Sequence, residues 1–255
     1  MGIARILCVG GSDSGGGAGI QADIKTITML GGYAMTAITA ITAQNTMEVA
    51  ETLVLSPAIV AAQISACVRD IGVDAIKIGM LGSAQVAREI AGQIGNERDL
   101  AGRTPIIFDP VMIATSGAIL ADREAVAAFG RLIQLATLVT PNLPELEALG
   151  GEAALLARGA TLLIKGGHGE GETVTDRLVG PDGEIARWEA PRIDTRHTHG
   201  TGCTLASAIA CGLGQGMSMV DAIARARNFV RAALLAAPGV GKGAGPMGHH
   251  VVRGL

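Results

Sequence analysis

Two kinds of hydrophobic pattern alternate along the first part of the chain. Short runs of apolar and β-branched residues predict buried strands, at residues 6–9, 35–42, 75–78, 106–108, 138–140 and 161–164. Longer stretches with apolar residues three and four positions apart predict helices, at residues 18–31, 57–71, 84–95 and 123–135. Strands and helices in alternation are typical of an α/β fold, in which a mostly parallel central sheet is covered by helices on both faces.

The pattern changes after Lys165. Residues 174–179 and 185–188 are short apolar segments that flank the sequence Pro181-Asp182-Gly183, whose residue types favour a tight turn. Two short strands on either side of such a turn predict an antiparallel hairpin. We expect this hairpin to lie at an edge of the sheet.

Two further helices are predicted in the last part of the chain. The first begins near Gly202 and is rich in Ala, Ser and Gly, which indicates close packing against its neighbours. The second covers about residues 219–236, and Pro238 ends it. Residues 239–246 are rich in glycine and flexible by composition, so they either fold over a site or fray.

Length and composition fit this α/β interpretation. A chain of 255 residues is long enough for one α/β domain over residues 1–255 with a large core. Hydrophobic residues make up 49% of the chain but aromatic residues only 2%, so Ala, Val, Ile, Leu and Met must build the core. Such side chains suit parallel strands that are buried on both faces.

Charge and cysteine usage narrow the class of partner and the compartment. The formal net charge is −3 and no long run of Lys or Arg occurs, which argues against nucleic acid and leaves small molecules or proteins as partners. The four cysteines occur singly, without the CxxC pairs of zinc sites or the density of a disulfide framework, so we expect a reduced, cytoplasmic protein. No long apolar stretch occurs, and we therefore expect neither a signal peptide nor a membrane span.

The first glycine cluster, residues 10–19, follows a predicted strand and opens a predicted helix. Unpaired backbone N–H groups at such a helix start can face a ligand. The cluster is not a Walker A loop, because no Gly-Lys-Ser/Thr follows at the required spacing. Residues 17–22 match GxGxxA, which keeps a dinucleotide site open as an alternative. A plain strand-to-helix turn is the other alternative.

The second glycine cluster is Gly200-Thr201-Gly202-Cys203, at the start of the small-residue helix. Consecutive amides at that helix start would form an anion hole for a transferring phosphoryl group. The positive helix end predicts a lowered pKa for the Cys203 thiol, which could then accept a proton from an attacking hydroxyl group. The alternative is that Cys203 is only a small buried residue, as we assume for the other three cysteines.

Acidic and basic side chains stand at the ends of three predicted strands. Asp109 and Glu145 are oxygen donors suited to a Mg²⁺ ion that bridges nucleotide phosphates. Alternatively, Asp109 and Asn142 cap helices and Glu145 is an ordinary acid in a first helical turn. Lys165 either reaches nucleotide phosphates or is solvated.

In this order, the motifs resemble those of the hydroxymethylpyrimidine and hydroxymethylpyrimidine-phosphate kinases of thiamine biosynthesis, in the ribokinase-like superfamily. The resemblance covers nearly the whole chain, and its most specific segments are residues 10–25, 42–46, 76–82, 109–117, 140–145, 165–168 and 198–204. It implies a three-layer fold, ATP as phosphoryl donor and Mg²⁺. It also implies two acceptors for one site, 4-amino-5-hydroxymethyl-2-methylpyrimidine and its monophosphate. Relatives in the superfamily are often dimers, so a homodimer is possible.

The resemblance also assigns the acceptor pocket. Gln44 is implied to read the pyrimidine edge, because a primary amide donates and accepts at once. Gly11, Asp23 and Met80 are implied to form the rest of the pocket, with Asp23 on the exocyclic amine and Met80 as an adaptable apolar wall. Alternatively, residues 44–46 form a polar loop and Met80 fills the core.

The remaining roles that the resemblance implies belong to catalysis and to the phosphoryl donor. Cys203 stands at the position of the catalytic base, where many relatives carry Asp. Asn142 and Glu145 match an Asn-x-x-Glu metal and phosphate motif. Lys165 matches a position that contacts the nucleotide, and Thr140 is assigned to the same nucleotide site.

Two departures from the family pattern and three rival functions remain. Residues 149–161 are shorter than usual, which predicts a trimmed helix, and His197 stands where Asn is common. The nearest rival function is a pyridoxine or pyridoxal kinase, since both acceptors carry a hydroxymethyl group on a six-membered nitrogen heterocycle. A nicotinamide-dependent oxidoreductase would use residues 17–22, and a non-catalytic pyrimidine sensor is the third rival.

Overall fold

The computed structural model describes residues 2–96, 100, 104–169 and 171–253. Within these residues, nine strands form one sheet in the order β3-β2-β1-β4-β5-β6-β7-β8-β9. The strands are β1 (Arg5–Asp13), β2 (Tyr33–Gln44), β3 (Val49–Val54), β4 (Ala75–Ile78), β5 (Ile106–Phe108), β6 (Leu138–Val139), β7 (Leu162–Ile164), β8 (Thr173–Gly180) and β9 (Gly183–Pro191). Strands β1, β2 and β4 to β7 pair in parallel, while β3 and the β8–β9 hairpin join the two edges by antiparallel pairing.

Helices follow most of the parallel strands. They are α1 (Gly19–Met29), α2 (Pro57–Asp70), α3 (Ala84–Asn96), α4 (Arg123–Leu135), α5 (Leu143–Ala148), α6 (Glu152–Leu156), α7 (Thr201–Gly214) and α8 (Met219–Leu235). Two short 3₁₀ helices cover Gly166–His168 and His249–Val251. In the described part of the chain, no helix combines the length and hydrophobicity that a membrane span requires.

The predicted α/β architecture and edge hairpin are confirmed. All six predicted strands and six predicted helices form within a few residues of their expected bounds. Strand β3 and helix α5 were not predicted. Helix α6 occupies the segment that we expected to hold a trimmed helix, and it spans five residues.

The core lies on both faces of the sheet, as the apolar runs require. In β1, Leu7 and Val9 belong to the apolar cluster that packs under α2, α3 and α4. Ile6 and Cys8, on the opposite face of the same strand, belong to the cluster formed with α1, α7 and α8. The three layers are therefore helices, sheet and helices.

The parallel strands end at a common edge of the sheet, and several candidate site residues lie at this edge. The pairing of β1 with β2 shifts register between Gly10 and Ser12, where Gly11 of β1 faces two residues of β2, so the bulge lies in β2. Such a bulge bends the strand and redirects its side chains. Asp109 follows β5 and Lys165 follows β7, so their side chains lie at the same carboxyl edge, where ligands bind in α/β folds.

The glycine-rich residues 239–246 do not extend away from the fold. The backbone N–H of His199 donates to the carbonyl of Gly245 at 3.2 Å, and His199 and Pro246 form an isolated parallel bridge. The segment therefore folds back against the residues that precede α7 and does not fray.

Candidate active site

A cavity of about 860 Å³ opens at the carboxyl edge of the parallel strands. The predicted site residues that line it are Gly11, Gln44, Met80, Asp109, Asn142, Glu145, Lys165, Gly200, Thr201, Gly202 and Cys203. Two other predicted residues, Asp23 and Thr140, are not among the described residues that line it. One cavity therefore brings together most of the residues that the sequence assigned to an acceptor, a phosphoryl donor and a catalytic centre.

The first glycine cluster forms a turn around Asp13, a residue that the sequence analysis did not single out. Asp13 Oδ1 accepts from Gly15 N–H at 2.8 Å, and Oδ2 accepts from the N–H groups of Gly17 and Ala18 at 2.9 and 2.8 Å. Burial raises the pKa of Asp13, but hydrogen bonds from His199 and these amides outweigh burial and lower it overall. The prediction that backbone N–H groups of this cluster face a ligand is wrong for these three residues, because their N–H groups donate to the Asp13 carboxylate.

Gln44 lies at the end of β2 and is held in place from two sides. Its backbone N–H donates to Ser14 Oγ at 2.8 Å, and that hydroxyl donates to Gln44 O at 2.7 Å. Its side-chain Oε1 accepts from Thr42 Oγ1 at 3.1 Å, and its Nε2 lies 3.4 Å from His199 Nε2. The amide is thus fixed at the cavity wall by contacts that still leave it hydrogen-bonding capacity for a ligand.

Met80 and Gly11 form an apolar wall next to this amide. A Cβ atom added to Gly11 would lie 2.8 Å from Met80 Sδ, which is closer than side chains pack. A side chain at position 11 would therefore displace the Met80 thioether, and glycine lets Met80 lie against the end of β1. Both residues line the cavity, as predicted.

The assignment of Asp23 to the pocket is corrected by the structure. Asp23 is fully buried on α1, and both of its carboxylate oxygens lie 3.0 Å from Lys77 Nζ. Ser207 Oγ donates a further hydrogen bond to Asp23 at 2.6 Å. Because Lys77 and Ser207 occupy its carboxylate oxygens, Asp23 is not available to bind an exocyclic amine.

Lys77 is another cavity residue that the sequence analysis missed. It lies within β4 (Ala75–Ile78), in which all four residues are buried, and its side chain lines the cavity floor. Burial lowers the pKa of Lys77, but the charge of Asp23 together with the other acidic groups nearby outweighs burial and raises it, so the side chain stays an ammonium. The sequence did contain a signal for it: Lys77 interrupts a run of apolar residues in a predicted buried strand, and a buried charge needs a partner of opposite charge.

The second glycine cluster builds the start of α7. Gly200 adopts φ +85°, and a Cβ atom there would collide with the carbonyl of Gly17, so only glycine fits. The amides of Gly202 and Cys203 precede the first helical hydrogen bond, from Thr204 N–H to Gly200 O at 2.9 Å. They are therefore free of helical acceptors and can bind an anion at the cavity wall.

The predicted lowering of the Cys203 pKa is wrong. Burial raises the pKa of Cys203 to about 11, and the nearby charges of Asp23 and Asp109 add to that effect. Lys77 and a backbone hydrogen bond from Gly19 act in the opposite direction but are outweighed. The thiol is consequently protonated at neutral pH, and helix-end electrostatics do not overcome desolvation here.

Beside the start of α7, where a Cβ atom on Gly202 would lie 3.5 Å from Lys165 Nζ, one ammonium joins two carboxylates. Lys165 Nζ donates to Asp109 Oδ1 at 2.7 Å and lies 3.8 Å from Glu145 Oε2. Thr140 Oγ1 donates to the same Asp109 oxygen at 2.9 Å, which places Thr140 behind the site. Burial lowers the pKa of Lys165, but the two carboxylates raise it more, so the cation persists in the cavity wall.

Asn142 and Glu145 form a capping box at the start of α5. Asn142 Oδ1 accepts from Glu145 N–H, and Glu145 Oε2 accepts from Asn142 N–H, both at 2.8 Å. Burial raises the pKa of Glu145. The capping alternative thus describes the Asn142 side chain, while Asp109 binds Lys165 and caps no described helix.

The same residues can be tested for a fit to Mg²⁺. Among the described residues, no cluster of three His, Cys, Asp or Glu side chains could hold a metal by itself. Asp109 and Glu145 share a single ammonium and both line the cavity. Two carboxylates fit Mg²⁺, which keeps several waters and is completed by substrate phosphates.

An unpredicted set of charged residues supports the loop after Lys165. The Arg192 guanidinium donates to the carbonyls of Gly167, Gly169 and Gly171 at 2.9, 2.7 and 2.8 Å. Asp176 Oδ1 accepts from Gly166 N–H at 2.9 Å. These contacts fix the glycine loop beside the Lys165 ammonium, in a part of the cavity that can hold a phosphorylated ligand.

Comparison with known proteins was made on both sequence and structure. A family model described as phosphomethylpyrimidine kinase matches residues 13–248. The hydroxymethylpyrimidine/phosphomethylpyrimidine kinase of Streptomyces coelicolor is 45% identical over 96% of this chain and 93% of its own length. The thiamine biosynthesis bifunctional protein ThiED of Geobacter sulfurreducens is 47% identical over 96% of this chain and 52% of its own length. The chain therefore spans about half the length of that second relative.

A solved structure with the same architecture is the ADP complex of Bacillus subtilis pyridoxal kinase. It superposes with a TM-score of 0.86 and 32% sequence identity, and the match covers 97% of this chain and 98% of that one. The fold described above is thus shared with an enzyme whose structure was solved as an ADP complex.

Proposed function

The chain belongs to the phosphomethylpyrimidine kinase family, and on that premise we propose that it phosphorylates 4-amino-5-hydroxymethyl-2-methylpyrimidine and then its monophosphate. The phosphoryl donor is ATP, and the diphosphate product serves thiamine biosynthesis. The observation that carries this proposal is the single cavity in which Gln44 and Met80 face the anion-binding start of α7. An acceptor and a triphosphate can therefore meet within one cavity.

Recognition of the acceptor is assigned to three cavity residues. The Gln44 amide pairs with the aminopyrimidine edge, to which it can both donate and accept. Met80 covers the ring with a polarisable apolar surface, and Gly11 leaves room for both. Asp23 has no part in this recognition, because Lys77 and Ser207 use its carboxylate oxygens.

The donor is assigned to the opposite end of the cavity. The Lys165 ammonium and the amides of Gly202 and Cys203 neutralise phosphate charge. Asp109 and Glu145 would hold Mg²⁺, which when bound neutralises charge on the β- and γ-phosphates. Asn142 and Thr140 support this end by fixing Glu145 and Asp109.

In the transfer itself, the hydroxymethyl oxygen bonds to the γ-phosphorus of ATP while the bond from phosphorus to the bridging oxygen breaks. ADP leaves, and the hydroxyl proton is released. Because the transition state of phosphoryl transfer is loose, positioning and charge neutralisation matter more than a strong base. Only the thiolate of Cys203 can take this proton, so the thiol, with its pKa of about 11, first releases its own proton to solvent, and the charge of Lys77 favours that ionisation.

We also place the enzyme in the cytoplasm. All four cysteines are free thiols. Free thiols agree with a reducing compartment, and so do ATP as donor and a small-molecule acceptor.

The test is a comparison of kcat/KM for the hydroxymethylpyrimidine and for pyridoxal, with ATP and Mg²⁺ at saturation. The proposal predicts a higher kcat/KM for the pyrimidine. Gln44→Ala should raise the KM for the pyrimidine about tenfold, the effect of one or two lost hydrogen bonds. Gln134→Ala, an exposed position on α4, is the matched control.

Other outcomes would reject the proposal. A higher kcat/KM for pyridoxal would assign the protein to the pyridoxal kinases, which its similarity to the Bacillus subtilis structure makes the strongest rival. Pyrimidine binding without ADP release would instead indicate a non-catalytic sensor. Turnover that requires NAD(H) would indicate an oxidoreductase.

A further inference from the structure

Residues 239–248, here called the strap, connect α8 to the last 3₁₀ helix and return across the molecule to the acceptor end of the cavity. The strap passes the loop of residues 45–48 that follows Gln44. Gly243 N–H donates to Thr46 Oγ1 at 3.2 Å. A Cβ atom on Gly243 would collide with the carbonyl of Thr46 and lie 3.1 Å from Met47 Cα. The two backbones are therefore in direct contact at this point.

The second attachment of the strap is to the segment that leads into α7. The Gly245 carbonyl accepts from His199 N–H at 3.2 Å. A Cβ atom on Gly245 would collide with the His197 imidazole and lie 2.7 Å from the Val240 carbonyl. Pro246 packs next to Gly17, in the turn that Asp13 organises.

The end of the strap is anchored in the core. Gly248 N–H donates to Ala233 O at 2.8 Å, and Met247 is 3% exposed. The following residue, His249, is buried with its Nε2 2.8 Å from the Thr204 hydroxyl on the first turn of α7. An anchored segment of this kind is a fixed part of the fold.

Gln44 lies between the two cavity-side attachments. Thr46, two residues along the chain, contacts the strap at Gly243. His199, whose Nε2 lies 3.4 Å from Gln44 Nε2, contacts the strap at Gly245. Among the described residues that line the cavity, none belongs to the strap, so its influence on a ligand must pass through Gln44 and His199.

We propose that the strap is a positioning element for the acceptor: it fixes the loop after Gln44 and the His199 segment at one separation, and so sets the place of the Gln44 amide. The proposal rests on the proposed function, because it assigns the acceptor to the Gln44 end of the cavity. Gly243 and Gly245 are then positioning residues. Their glycines are required because a side chain at either position would push the strap away from its partner.

The variant Gly243→Ala tests this proposal. Its methyl group would meet backbone atoms of Thr46, which cannot rotate away. We expect KM for the pyrimidine to rise at least about tenfold, since a displacement of about 1 Å can cost about a hundredfold in a positioned site. The KM for ATP should be unchanged, because Lys165 and Asp109 have no contact with the strap among the described residues.

Two further variants complete the test: one removes the same contact by a milder change, and one is a control. Thr46→Val removes only the hydroxyl that accepts from Gly243 N–H, and it should raise the KM for the pyrimidine in the same direction if Gly243→Ala does not fold. Gly130→Ala, on α4, is the matched control because a Cβ atom there meets nothing within 4 Å. Its KM values should equal those of the wild type.

A readout that does not depend on turnover separates the strap from the proposed function. Amide hydrogen exchange of residues 45–48 in the ligand-free protein should be faster in Gly243→Ala and Thr46→Val than in the wild type or Gly130→Ala. If the wild type does not phosphorylate the pyrimidine, the proposed function fails and the exchange result alone decides the role of the strap. Folded variants with unchanged exchange at residues 45–48, or with faster exchange but an unchanged pyrimidine KM, would overturn the proposal.

Discussion

Lys77 and Asp23 form a buried ion pair directly beneath the cavity. Both carboxylate oxygens lie 3.0 Å from the ammonium, and the two side chains are 1% and 0% exposed. Taking two charges out of water is unfavourable, and such a pair persists only while each charge neutralises the other. The same ammonium acts on Cys203, whose pKa would be raised further by burial and by Asp23 without it. The pair therefore links core stability to the electrostatics around Cys203, the residue that we propose acts in catalysis.

The first prediction concerns this pair. Lys77→Met should lower the free energy of unfolding by about 3–5 kcal/mol, because it leaves the Asp23 carboxylate buried and unpaired. The double variant Asp23→Asn/Lys77→Met removes both charges and should recover most of that loss. Urea denaturation of the wild type and the two variants measures both values. A double variant no more stable than Lys77→Met would show that packing around Lys77, and not its charge, provides the stability.

The second prediction concerns Cys203. Cys203→Ala should lower kcat by about 10²- to 10⁴-fold, the range for a positioned acid or base, with the KM for the pyrimidine largely kept. Steady-state kinetics with Cys67→Ala as control, a partly buried position on α2, measures the effect. Near-normal turnover of Cys203→Ala would mean that the helix amides and Lys165 suffice for transfer.

Site residues could be predicted from the sequence where they stand at strand ends and glycine clusters. Asp109, Lys165 and Cys203 belong to this class, and all three line the cavity. Asp23 was misassigned because its role depends on Lys77, which lies 54 positions along the chain. The protonation state of Cys203 was misjudged because helix position is visible in a sequence but the degree of burial is not.

At the scale of elements, the first turn of α7 is contacted by His249, in the 3₁₀ helix that follows the strap. His249 Nε2 lies 2.8 Å from Thr204 Oγ1, one residue after Cys203, and the ring is 2% exposed. Burial lowers the pKa of His249 to about 4. The buried imidazole is therefore neutral at physiological pH, and the contact holds the helix that carries the anion-binding amides.

The third prediction follows from this contact. An unfolded chain protonates His249 near pH 6.5, whereas the folded protein does so only near pH 4. The stabilisation is thus complete above about pH 6.5 and is lost as the pH falls towards 4, by about 3 kcal/mol in total. His249→Gln should lack this part of the pH dependence, and urea denaturation between about pH 7 and pH 4 measures it. His250→Gln, at the exposed neighbouring position, should behave like the wild type. Equal pH dependence in wild type and His249→Gln would refute the assignment.

Strands and helices could be predicted where their buried faces produce a regular spacing of apolar residues in the sequence. The buried strands β4 and β5 and the helix α4 were found at the bounds that the structure has. Strand β3 was missed because five of its six residues are exposed, so its sequence carries no burial pattern. Helices α5 and α6, of six and five residues, are too short for an apolar spacing to repeat.

For the whole molecule, the sheet order explains how motifs far apart in sequence meet. The parallel strands β1, β4, β5, β6 and β7 are neighbours, and their carboxyl ends lie along one edge. This convergence follows from a parallel α/β fold and could be expected from the sequence. The return of the strap to Thr46 could not, because Gly243 and Thr46 are 197 positions apart and no local pattern records their contact.

The most direct test of the whole account is product analysis of one reaction. The purified protein is incubated with ATP, Mg²⁺ and unphosphorylated 4-amino-5-hydroxymethyl-2-methylpyrimidine, and the products are followed over time by mass spectrometry. We predict that the monophosphate appears first and is then converted to the diphosphate, with ADP released in each step. ATP consumption without any phosphorylated pyrimidine, or a monophosphate that never proceeds to the diphosphate, would contradict the claim that this single cavity performs both transfers.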